Sequence, residues 1–95
     1  MNERLDSLAL TSELIRAARA LLRWDQRDLA KASGVSLPTI KRLEATPGAL
    51  AAHSSTVTAL RRAFESTGIE FTNGSAPGVR RRAGPQRKPA GDRRR

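Results

Sequence analysis

Apolar residues between Thr11 and Arg23 recur at helical spacing, namely Leu14, Ile15, Ala18, Leu21 and Leu22, with the good helix formers Arg16, Ala17, Arg19 and Ala20 between them. The pattern predicts a first helix that Thr11 or Ser12 caps and that ends before Trp24, which is read as a core or staple residue between the first two helices. Asp25 is placed to cap a second helix over 26–32, and Ser33-Gly34 to stop it. Ser36 caps a third helix running to about Ala45. Pro38 lies in its first turn, where a missing N–H costs little, and Ile40 and Leu43 form its inward face. Residues 46–53 open with the turn signal Pro47-Gly48 and are read as a loop, with His53 as a surface residue without function. Ser54 or Ser55 caps a fourth helix in which Val57, Leu60 and Phe64 share a face, and Gly68 ends it in the left-handed conformation. After Gly68 the period changes to two. Ile69-Glu70-Phe71-Thr72 and Gly78-Val79-Arg80-Arg81-Arg82 flank the turn chemistry of 73–77, which predicts a hairpin. An isolated hairpin is marginal, so this one must lie on the helices or pair with another chain.

The fold class expected is mainly α: a compact bundle of four to five helices followed by a short β-hairpin and a disordered basic tail. Residues 1–10 are read as an N-terminal extension, 11–67 as the helical domain, 68–82 as the hairpin and 83–95 as the tail. With 95 residues, one small domain plus tails is the bound. Cys is absent and His53 is the single histidine, which removes disulfides, thiolate chemistry and the usual zinc sites; no metal or cofactor is expected. No apolar stretch approaches the roughly 18 residues of a membrane span. Glu3 and Asp6 interrupt the N-terminal leucines, unlike a signal peptide, so a cytoplasmic, nucleoid-associated location is expected. No phosphate-binding glycine loop follows a strand and the histidine has no partner spacing, which points away from an enzyme.

Charge is divided unevenly. Residues 80–95 hold eight basic side chains (Arg80, Arg81, Arg82, Arg87, Lys88, Arg93, Arg94 and Arg95) against the single acid Asp92, a net of +7, whereas residues 1–79 net only +2. A tail of that composition cannot bury enough surface to offset its ordering entropy, and clustered cations displace counterions from phosphates. Polyanion binding is the reading favoured over a merely solubilising end.

The segment from Gln26 to Glu44 places a helix, a glycine-containing turn and a second helix in about twenty residues, which is helix-turn-helix spacing. Ala30 is small where two helices cross, Gly34 permits the turn, and Leu29, Val35, Ile40 and Leu43 form the apolar wedge that sets the angle. The other face of the third helix offers Leu37, Pro38, Thr39, Lys41 and Arg42, and a helix has the width that the major groove admits. Glu44, one turn away, would argue against a phosphate partner if it were exposed.

The run Gly-Val-Ser-Leu-Pro-Thr-Ile-Lys-Arg-Leu-Glu at 34–44, with Gln26, Leu29 and Ala30, resembles the XRE family of lambda-repressor-like and Cro-like DNA-binding domains over roughly residues 11–67. The stretch Gly-Ile-Glu-Phe-Thr-Asn-Gly with Gly-Val-Arg is similar to the ending of short bacterial members. The resemblance implies that Gln26 contacts a backbone phosphate and braces the recognition helix, and that Leu37, Pro38 and Arg42 face bases. Ser36, Thr39, Lys41 and, more weakly, Arg27 are assigned to phosphates or adjacent bases. Of the base-facing residues only Arg42 can pair in bidentate fashion with guanine, while Leu37 and Pro38 touch at most a thymine methyl. The resemblance further implies an internal ion pair between Arg19 and Glu44. The function expected is a homodimeric repressor binding double-stranded DNA, with helix four and Ile69, Phe71 and Val79 at the dimer contact. The competing reading is an adaptor, antitoxin or anti-activator that grips a protein partner on the same scaffold.

Overall fold

The structure, a computed structural model, describes residues 10–72 and 76–82. Helices α1 (Ser12–Leu22), α2 (Gln26–Ser33), α3 (Leu37–Ala45) and α4 (Ser54–Glu65) precede strands β1 (Ile69–Thr72) and β2 (Gly78–Arg81). The chain is mainly helical with an antiparallel C-terminal hairpin. Expected features within 1–9, 73–75 and 83–95 lie outside the described residues, including tail residues Arg87, Lys88, Arg93, Arg94 and Arg95.

Local chemistry accounts for most boundaries. Thr11 caps α1 by accepting a hydrogen bond from the Leu14 amide at 3.1 Å. Arg23 then turns the chain at φ 60, the one non-glycine residue with positive φ among those described. Asp25 and Asp28 cap α2 reciprocally, each carboxylate accepting from the other's backbone amide at 2.9 Å. Gly34 stops α2 at φ 80; a Cβ there would meet nothing, so the conformation alone favours glycine. The start of α4 differs from expectation. His53, not Ser54 or Ser55, is its cap residue, because the His53 carbonyl already accepts from the Thr56 and Val57 amides, and no side chain caps this end.

One core joins all elements. Ile15, Ala18, Leu29, Ile40, Leu43, Leu60, Ala63, Phe64 and Ile69 form it, with Leu22, Trp24, Val35, Phe71 and Val79 packed around. Phe64 is its centre, stacking on Trp24 at 5.8 Å between ring centroids and meeting Phe71 edge-on at 5.9 Å. Trp24 therefore reaches past the first two helices to α4. The stripe predicted for α1 is too wide: Leu21 is 42% exposed, because the inward line runs through Ile15, Ala18 and Leu22. Leu10, counted with the extension, is 2% exposed. Its carbonyl accepts from the Leu50 amide at 3.1 Å, and the Gly48 carbonyl accepts from the Ser12 amide at 2.9 Å, so the loop after α3 is strapped to the start of α1.

The hairpin lies on the helices. Phe71 pairs with Val79 and Glu70 with Arg80 across the strands, while β2 packs against α1 and β1 against α4. Two expectations need correcting here. Ile69, expected at a dimer contact, is 1% exposed in the protomer's own core, and Phe71 and Val79 also face that core, because the hairpin covers the helices with its apolar side. Arg80, Arg81 and Arg82 do not belong to a free tail. Arg80 and Arg82 both donate to the Glu70 carboxylate, and Arg81 reaches the Leu21 carbonyl at 3.4 Å.

Candidate nucleic-acid interface

The orientation of α3 rests on one carboxylate. Glu44 is turned inward, 7% exposed, and Arg19 grips it with two hydrogen bonds, Nε to Oε2 at 2.8 Å and Nη2 to Oε1 at 2.7 Å. Gln26, opening α2, donates from Nε2 to Oε1 at 3.1 Å. The third Arg19 nitrogen donates to the Trp24 carbonyl at 3.0 Å, and Arg16 Nη1 donates to the Glu44 carbonyl at 2.9 Å. A single side chain on α3 thus binds the polar groups of α1 and α2, while Leu29, Ile40 and Leu43 close the apolar side of the same junction. A buried charge is tolerable only when paired and hydrogen-bonded in this way.

At the other end of α3, Ser36 Oγ accepts from the Thr39 amide at 3.3 Å and donates to Thr39 Oγ1 at 2.9 Å. With Ile40, Leu43 and Glu44 inside, the outward positions are Pro38, Lys41, Arg42 and Ala45, all exposed, with Leu37 and Thr39 half-buried at the flanks. Pro38, Arg42 and Ala45 follow the i, i+4, i+7 spacing of one helical face. Arg42 Nη1 stands 3.5 Å from the Ala51 carbonyl, beside an open groove of about 380 Å³ lined by Thr39, Arg42, Ala51, Ala52, His53 and Thr56. Arg27 is exposed on α2.

Residues 15–48 match a family model described as helix-turn-helix. The match covers the helix-turn-helix unit and supports its likeness to the XRE type. The match supports a DNA-binding transcription regulator of the XRE type, and no curated protein matches the chain. Among the described residues no helix is long and apolar enough to cross a membrane.

Within this helix-turn-helix unit the structure brings Ser36, Leu37, Pro38, Thr39, Lys41 and Arg42 to one side of α3 and separates Gln26 from them in role. One Gln26 N–H is committed to Glu44, which leaves its second for an outside acceptor. Three contacts have no counterpart in the reading of the sequence. Arg16 caps the carbonyl end of α3; its place one turn before Arg19 on α1 was the available signal. Glu13 accepts from the Gly48 amide at 3.2 and 3.3 Å, and the backbone amides of Glu13 itself and Gly48 hold its carboxyl below the ordinary range. The Arg61 guanidinium on α4 lies 5.6 Å over the Phe71 ring.

Proposed function

We propose that this protein is an XRE-type repressor that binds its operator as a homodimer, each protomer laying α3 in a major groove. The observation that carries the reading is the charge of the outward side of α3. Lys41 and Arg42 are exposed there, and the one acid of the helix, Glu44, is turned inward and paired. A face so arranged attracts phosphate and base acceptors and has no carboxylate to repel them. Half-sites about 34 Å apart, one duplex turn, are expected for a dimer of this kind. The dimer contact cannot use Ile69, so the free strand edges of the two-stranded sheet are the remaining means by which the hairpin joins a second copy.

The test is a mobility-shift titration against the DNA upstream of the protein's own gene and against random duplex, at several salt concentrations. Arg42→Ala should weaken the preferred site far more than random DNA. Removal of residues 83–95 should lower affinity on every sequence and flatten the salt dependence. Sedimentation that finds only monomer, with and without DNA, removes the homodimer. Tail removal that abolishes selectivity while Arg42→Ala changes nothing reverses the assignment of roles.

A further inference from the structure

Two arginines on the outer face of the hairpin close on one carboxylate. Phe71 and Val79 face the core, so their strand neighbours Glu70 and Arg80 lie on the opposite face, paired across the antiparallel register. Arg80 donates from Nε to Glu70 Oε1 at 2.8 Å, and Arg82 donates to Oε2 from both Nη2 and Nε, the latter at 2.9 Å. Guanidinium groups grip a phosphate through the same paired bonds. Arg82 and then Arg80 hold the Glu70 carboxyl below its ordinary range, so at neutral pH an anion stands between them. Arg80, Arg81 and Arg82 are all exposed, and Glu70 is the one acid of β1 and β2. From Arg82 the chain continues toward Arg87, Lys88, Arg93, Arg94 and Arg95.

This face is set apart from α3. Helix α3 meets α1 at Arg16 and Arg19, which hold Glu44, whereas β2 meets α1 where Arg81 reaches the Leu21 carbonyl. Leu21 stands about 140–160° round the helix from Arg16 and Arg19. A duplex laid on the outward side of α3 therefore has α1 between it and the hairpin. The arginines also occupy the face of the two-stranded sheet and not its edges, so a second copy joined along an edge leaves them open. Resting on the reading that α3 enters a major groove, we propose that Arg80 and Arg82 form a second polyanion site, which takes the phosphate backbone of another DNA segment in place of Glu70. The protein then holds two duplexes at once, one by its base edges and the other without regard to sequence.

The experiment uses the full chain, beads carrying the DNA upstream of the protein's own gene, and a fluorescent random duplex in solution. Beads that hold the protein should capture the fluorescent duplex. Arg80→Ala with Arg82→Ala should release it and flatten the log–log salt slope of capture by about two, while the beads still hold the protein. Glu70→Gln should steepen that slope by about one, because one more phosphate charge is then neutralised. Such a gain cannot come from unfolding. Absence of capture by the parent protein, or capture that neither change affects, overturns the inference while DNA binding stands. So does loss of both duplexes together in the double variant at unchanged Tm, which places the hairpin on the duplex that α3 reads. Sequence-blind binding that Arg42→Ala leaves intact and the double variant abolishes overturns the reading of α3 and keeps the hairpin site. No binding to any duplex overturns both.

Discussion

Two glutamates in this molecule are each held by arginines, and they do different work. Glu44 sits between three helices, buried, with Arg19 and Gln26 on its carboxylate and Arg16 on its carbonyl. Glu70 sits on the outer side of the hairpin between Arg80 and Arg82, whose side chains are 72% and 62% exposed. Removing a partner from the first leaves a charge without solvent; removing one from the second leaves a charge that water takes over. The same pair of residue types is thus an orienting joint at the α3 end and a surface feature at the hairpin end, where ring packing holds the strands down.

The strongest way to break the contrast is Arg19→Ala. It should destabilise the protein by about 3–5 kcal/mol in denaturant unfolding, a large share of what a domain of this size has. Phe71→Ala comes next. It removes the edge contact to Phe64 and the surface under Arg61, and because the ring is only half-buried about 2 kcal/mol is expected, with loss of hairpin amide protection in hydrogen exchange. Gln26→Ala should cost about 1.5 kcal/mol, since a bond to a charged group is lost while Arg19 still pairs Glu44.

Glu70→Gln should have the smallest effect, a Tm close to that of the parent at neutral pH and closer still in 1 M salt, where screening acts within about 3 Å. Its signature is in acid. Hydrogen bonds from Arg82 and then Arg80 hold the Glu70 carboxyl below its ordinary range. The folded state therefore binds that proton less readily than the unfolded chain. The contribution is present above the ordinary carboxylate value and is lost as pH falls toward the lower folded one. A melting series below about pH 5 should fall less steeply for Glu70→Gln than for the parent; equal slopes would show that the Arg80 and Arg82 contacts have no thermodynamic weight.

The helices were legible because their stops are written in residues with local causes: Thr11, Asp25, Gly34 and Ser36 each act within four positions of themselves. The hairpin was legible from its change of period. What the sequence did not disclose is mostly direction. Ile69 reads equally well as an apolar residue for a partner chain or for its own core, and only the placement of the hairpin against α1 and α4 decides. Leu10 lies before the helical pattern begins, so nothing local marks it as buried. Arg80, Arg81 and Arg82 continue a basic run whose later members share their composition, yet the antiparallel register sets Glu70 opposite Arg80 and draws Arg82 to the same carboxylate. On the outward face of α3, the residue types were visible from spacing. That Glu44 faces inward depends on Arg16, Arg19 and Gln26, eighteen to twenty-eight positions away.

The division of α3 into inward and outward residues has an evolutionary consequence. Ile40, Leu43 and Glu44 work as a key whose lock is cut by other helices, so descendants that alter them must alter several partners at once. Pro38, Lys41, Arg42 and Ala45 lie outside the core, with Arg42 tied back to the protein by one long bond to the Ala51 carbonyl. On the proposed reading of α3, binding preference can drift through those four codons while the scaffold is inherited with little change.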